Sequence, residues 1–180
     1  MVSDLIRVVT DLPRVKLSNI DPTPVPGCYL QFMASRELGP PMGPFDEVVA
    51  TGRYPAYAGL ASKSLRERIG RYRQTIRGLE TVTASTIFLA VLPCSSAASA
   101  RFCEEVLIRR FGPVLNGLGW GSKVPGSRRS AQACSPVDAL LPGRRWAQPA
   151  SPVEVACAHL QVLANVAVRD PGGHRWDPLV

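Results

Sequence analysis

Histidine is almost absent from this chain, with only His159 and His174 among 180 residues. So few imidazoles leave no useful histidine for a Ser/His/Asp relay and too little nitrogen for a histidine-rich zinc centre. Cysteine offers no more. The five, Cys28, Cys94, Cys103, Cys134 and Cys157, are odd in number, contain no CxxC pair and show no zinc spacing, so they are expected as reduced, mostly buried thiols. There is no phosphate-cradling GxxxxGK[ST] and no carboxylate cluster of the kind that holds two metals. Long apolar runs are missing too. Asp4, Arg7 and Asp11 interrupt the N-terminal segment, and the uncharged stretch 81–100 holds only the six-residue run IFLAVL, so neither a signal peptide nor a membrane span is expected and the chain reads as cytoplasmic.

What is present is a folded, basic domain. Hydrophobic residues make up 46% and charged residues 19% of a length suited to one core, while 17 prolines and 15 glycines predict many turns and long loops. The net charge of +7 is concentrated. Lys63, Arg66, Arg68, Arg71, Arg73 and Arg77 stand against Glu67 alone, and Arg101, Arg109, Arg110, Lys123, Arg128, Arg129, Arg144 and Arg145 against Glu104, Glu105 and Asp138. Each group carries a net +5, so the rest of the chain is acidic. Clustered cations of this kind suit a face that meets a polyanion, the duller reading being solvated helix faces.

Local patterns order the chain. Residues 1–26 read as a surface leader ending in the proline-rich DPTPVPG. GCYLQFMA (27–34) and PAYAGLA (55–61) read as strands, with a Pro/Gly-studded loop between them. Ser64 and Glu67 have capping-box spacing, and Leu65, Ile69, Tyr72 and Ile76 recur at helical intervals. A β-branched strand over 81–93 follows, then a helix over 96–111 with Phe102, Cys103, Val106, Leu107 and Phe111 on its apolar side, stopped by Gly112-Pro113. Residues 117–150 form a long Gly/Pro/Arg-rich segment, and Ser151 with Glu154 caps a last helix.

The chemistry-bearing residues fall on successive elements. Arg68 and Tyr72 are four apart on one helix face, Glu104 borders the buried side of the next helix, and Asn116 follows its end. Together with GCY (27–29) and YAG (57–59), this ordered series resembles the GIY-YIG nuclease superfamily. Leu107, Ile108, Pro113 and Asn116 follow Glu104 at the same offsets as in the nuclease domain of the bacterial excision-repair incision subunit, which selects Glu104 over Glu105. GLGWGSKVPGSRRSAQ and LLPGRRWA are similar to the tail of the type II restriction branch, whose known members cut CCGCGG as dimers. Two positions depart from the pattern: Leu60 stands where relatives carry lysine, and Tyr72 where the restriction branch has histidine.

The resemblance implies an α/β fold, a small, mainly antiparallel sheet of about three strands flanked by helices, divided into a leader (1–26), a nuclease core (27–116) and a recognition loop with C-terminal helix (117–180). It implies hydrolysis of double-stranded DNA with one Mg²⁺ per site, Mn²⁺ able to substitute. Glu104 would be the metal ligand, Arg68 the donor to phosphate, Tyr29 and Tyr57 the groups that handle water, Tyr72 the stand-in for histidine and Asn116 a brace. Lys63, Arg71, Lys123, Arg128, Arg129, Arg144 and Arg145 would contact DNA, at bases or at phosphates. A homodimer and a companion methyltransferase acting on the same site complete the expectation. A repair-type nuclease and an inactive DNA-binding module of the same fold are the alternatives. Residue by residue, duller roles also stand: strand aromatics for Tyr29 and Tyr57, core for Tyr72, an interhelix ion pair for Arg68 with Glu104.

Overall fold

A computed structural model describes residues 2–34, 51–79, 82–118, 140–141 and 151–167. Helix α1 (Val2–Thr10) precedes the short strand β1 (Val15–Lys16). Strands β2 (Gly27–Met33) and β3 (Tyr57–Ala61) lead into helix α2 (Leu65–Ile76), and strand β4 (Ile87–Pro93) into helix α3 (Ala97–Phe111). The short helix α4 (Val114–Gly117) and helix α5 (Pro152–Ala167) follow. The strands form one sheet in the order β1-β4-β2-β3, every neighbouring pair antiparallel.

Among the described residues the sheet therefore has four strands, where the sequence suggested about three, and the extra one comes from the leader. A two-residue strand has no alternation to read; pairing of Val15 with Leu89 and Lys16 with Phe88 defines it. The leader also contains α1, whose Val9 joins the core. β4 begins at Ile87 rather than at 81 because Thr83 and Thr86 close a turn on each other, Thr86 N donating to Thr83 O at 3.1 Å and Thr83 N to Thr86 Oγ1 at 3.0 Å. Local side-chain bonds of this sort compete with a strand ladder.

Strand β2 is central and buried along its whole length, so its alternating side chains feed two cores. One face carries Tyr29 and Met33 against Leu65, Ile69, Tyr72 and Ile76 of α2. The other carries Cys28, Leu30 and Phe32 against Leu107 and Phe111 of α3 and Val9 of α1.

The helix caps follow the sequence. Ser64 Oγ accepts from Glu67 N, Ser96 Oγ from Ser99 N, and Gly112 ends α3 in the left-handed region at φ 50°, its N–H donating to Ile108 O. At α5, Ser151 N and Ser151 Oγ each donate to Glu154 Oε2 at 2.8 Å, which holds the Glu154 carboxyl below its ordinary value, and Glu154 N donates to Ser151 Oγ at 3.3 Å.

Two expectations require correction. Phe102 is 43% exposed, because the buried stripe of α3 runs through Ala100, Glu104, Leu107 and Phe111, and a carboxylate occupies a position where apolar periodicity would look for a hydrophobe. The described cysteines are not mostly buried: Cys28 is, Cys94 and Cys103 are half-buried, and Cys157 is exposed. Cys28, Cys94 and Cys103 meet, although no sequence spacing announces it. Most of the long segment 117–150, Cys134 and the loop over 35–50 lie outside the described residues.

Candidate active site

The site starts from two glycines that let side chain and backbone approach. Tyr29 pairs with Gly59 across β2 and β3. A Cβ at Gly59 would lie 2.3 Å from Tyr29 Cζ and 2.5 Å from its hydroxyl oxygen. At Gly27 a Cβ would lie 2.5 Å from Leu65 Cδ1 and 2.6 Å from the Leu92 carbonyl oxygen. The glycines of GCY and YAG are thus set by space, one admitting a phenol and the other the start of α2.

Tyr57 lies beside Tyr29, ring centroids 6.2 Å apart and planes tilted by 53°. Arg68 reaches the same place from α2, close enough for its charge to act on both phenols. Yet Tyr29 Oη and Arg68 Nε are each buried without a hydrogen-bond partner among the described residues. Burial raises Tyr29 well above the ordinary phenol range; Arg68 opposes this, and Tyr57 and Glu104 add to it. Tyr29 is therefore a neutral phenol at physiological pH, and it becomes a base only when further positive charge is brought beside it. Burial also works against the charge on Arg68, but the phenols of Tyr29 and Tyr57 outweigh it and hold the guanidinium above its ordinary value.

Glu104 arrives from the opposite layer. It is 3% exposed on α3, whereas Glu105 points to solvent. Its charge is felt by Tyr29, more weakly than that of Arg68, and by Cys28. Tyr72 packs in the same core cluster as the two phenols, and its hydroxyl donates to Gln31 Oε1 at 2.6 Å in a buried contact. Gln31 is fully buried and its Nε2 has no partner among the described residues. It is the polar residue that sequence reading passed over, although its place two residues after Tyr29 on β2 put it on the same face.

Asn116 grips the backbone of β3. Ala58 N donates to Asn116 Oδ1 at 2.7 Å and Asn116 Nδ2 donates to Ala58 O at 2.8 Å, between Tyr57 and Gly59. Leu115 N adds a bond to Ala56 O at 2.9 Å.

The cations of α2 divide by task. Arg66 Nε donates to Pro22 O at 3.2 Å, Arg73 Nε to Leu17 O at 2.9 Å, and Arg73 Nη2 to Ile20 O, so these two fasten the helix to the leader. Lys63 is exposed, and exposed Arg71 lies 4.0 Å from Glu67. Leu60 is half-buried and pairs with Cys28. Lys123, Arg128, Arg129, Arg144 and Arg145 lie outside the described residues. Among those residues no helix is long and apolar enough to cross a membrane.

No curated protein matches the chain significantly. The family model described as the Eco29kI GIY-YIG domain matches residues 46–168, well over half of the length, a range that takes in Tyr57, Arg68, Tyr72, Glu104 and Asn116 but begins after Tyr29. With two tyrosines on adjacent strands facing a helix arginine, and with that match, the chain belongs to the Eco29kI GIY-YIG family of restriction-endonuclease nuclease domains, whose substrate is DNA.

Proposed function

We propose that this protein is a Mg²⁺-dependent type II restriction endonuclease that cuts both strands of a palindromic site, CCGCGG or a close relative, as a homodimer in the cytoplasm. A methyltransferase acting on the same site would protect the host DNA. One observation carries the reading: a buried phenol oxygen and a buried guanidinium Nε, near one another, neither with a well-formed hydrogen bond among the described residues. Buried polar atoms are normally satisfied, and those that are not commonly wait for a ligand. A phosphate with its attacking water supplies the acceptors and donors both atoms lack.

The donor set fits the metal. Among the described residues Glu104 is the buried carboxylate, a hard oxygen ligand of the type Mg²⁺ accepts, the remaining positions being left to water and phosphate. Glu104 would hold the ion, which would supply polarisation of the phosphate and neutralisation of charge on the leaving oxygen. Arg68 donates to the non-bridging oxygens as negative charge grows there, its planar fork matching two of them. Tyr29, a neutral phenol in the free protein, orients the water; to act as base it must first release its own proton to solvent, which further positive charge beside it would favour. Tyr57 supplies a second phenol beside it. Tyr72 fixes Gln31 under the site, and Asn116 holds Tyr57 and Gly59 in register. Arg128, Arg129, Arg144, Arg145 and Lys123 contact the duplex from the segment after the core, and Lys63 and Arg71 hold its phosphates.

Digestion of plasmids with and without CCGCGG, in Mg²⁺, Mn²⁺ and EDTA, tests this. Discrete fragments from site-bearing DNA only, in either metal but not in EDTA, are expected. Smeared products would point to an unspecific or repair-type nuclease. Leu60 in the place of the usual lysine favours a second reading, a binding module without catalysis, and tight DNA binding with no cleavage in either metal would establish it.

A further inference from the structure

On the face of the sheet opposite the tyrosines, three thiols from three elements meet. Cys28 is the second residue of β2, Cys94 directly follows β4 and Cys103 lies on α3. Their Sγ atoms all lie within 4.8 Å of one another. The register explains the meeting: Gly27 pairs with Pro93 and Cys28 with Leu92, and Cys94 N donates to Pro26 O at 2.8 Å, so the end of β4 stands beside the start of β2. α3 packs across the same face.

A disulfide could use only two of these sulfurs and would leave the third. A soft cation uses all three. At a zinc–sulfur length of about 2.3 Å, sulfurs around one tetrahedral ion are roughly 3.8 Å apart, so closing the cluster takes movements of about 1 Å at most. The half-exposed Cys94 and Cys103 give an ion and a water ligand a way in. The chemistry also separates this place from Glu104, since thiolates select soft cations and carboxylates hard ones.

We infer that Cys28, Cys94 and Cys103 bind one thiophilic divalent cation of the Zn²⁺ class, with the fourth position left to water, as a clamp joining α3 to the adjacent ends of β2 and β4. The clamp is not catalytic. It acts by position: Cys28 is followed at once by Tyr29 and Cys103 at once by Glu104, so the ion fixes the backbone beside both groups.

The test uses the full chain, purified under a non-thiol reductant and titrated with Cd²⁺ as the spectroscopic probe. A sulfur-to-metal charge-transfer absorption that saturates at one ion per chain, and is displaced by Zn²⁺, is expected. Cys103→Ser and Cys94→Ser should each weaken binding by about 10-fold or more, while Cys157→Ser leaves it unchanged. Zn²⁺ should raise the melting temperature of the unaltered chain and not that of Cys94→Ser, a half-exposed position whose variant keeps its fold even if one at buried Cys28 does not. No absorption on folded protein, an equal absorption in Cys94→Ser and Cys103→Ser, or a Zn²⁺-induced rise that survives Cys94→Ser would overturn the inference. None of these readouts depends on DNA cleavage, so failure here leaves the nuclease reading untouched and the reverse also holds.

Discussion

The two faces of β2 obey the same alternation and do opposite things with it. Toward α3 the strand offers Cys28, Leu30 and Phe32, a packing surface relieved only by the Cys28 thiol; toward α2 it offers Tyr29 and Gln31, each burying a polar atom without a hydrogen-bond partner among the described residues. An unsatisfied buried polar group costs about 1–3 kcal/mol. The α2 face therefore gives up stability that the α3 face supplies, which is the pattern expected where a site is held ready for a ligand.

The sharpest way to break this comparison is to remove the Glu104 charge buried in the packing face. Glu104→Gln should abolish Mg²⁺-dependent cleavage while DNA binding persists, and Glu105→Gln should cut normally; full activity of Glu104→Gln in a plasmid assay would refute the assignment. Next comes Tyr29→Phe. Cleavage should collapse, yet chemical denaturation should show a protein more stable by about 1–3 kcal/mol, because the orphaned hydroxyl is gone. Its pH dependence has a definite sign. Tyr29 is held above its unfolded value of about 10, so its contribution is complete below that pH and is lost as pH rises toward the folded value. The variant should lose that part of the alkaline destabilisation, and unchanged alkaline unfolding would show that the phenol is not buried as described.

Arg68→Lys should still fall on the order of tenfold or more in single-turnover rate, since a point charge cannot reproduce a planar fork. An unaltered rate would mean that Arg68 only attracts phosphate. The smallest effects compare two glycines. Gly59→Ala drives a methyl into the Tyr29 ring and should cost about 1–3 kcal/mol, whereas nothing lies within 4 Å of a Cβ at Gly70 in α2, so Gly70→Ala should stabilise by about 0.5–1 kcal/mol. Equal melting temperatures for the two variants would remove the steric reason for the YAG glycine.

The parts of this structure legible in the sequence are those written in neighbouring residues. The Ser64–Glu67 cap, the Leu65-Ile69-Tyr72-Ile76 stripe, the apolar run of β4 and the stop at Gly112 need no information from elsewhere. The site residues became legible only as an ordered series on successive elements, because each alone has an ordinary structural use. What stayed hidden depends on distant partners. β1 is a strand only because β4 is beside it, the stripe of α3 is turned because Glu104 takes a core position, and Cys28, Cys94 and Cys103 are joined by register alone. The basic helix was half legible: its charge was plain, but the use of Arg66 and Arg73 to hold leader carbonyls was not.

The grip of Asn116 on Ala58 has a consequence for association. Among the described strands β3 is an outer one, and an outer strand ordinarily presents a row of free amides and carbonyls on which another chain can extend the sheet, in ordered dimers and in fibrils alike. Here the amide side chain imitates a neighbouring strand, taking both backbone groups of Ala58 while Leu115 takes the carbonyl of Ala56. The sheet is thereby terminated from within its own chain at the point where the tyrosines are displayed, and two copies of the protein must meet through side chains rather than by continuing the ladder at these residues.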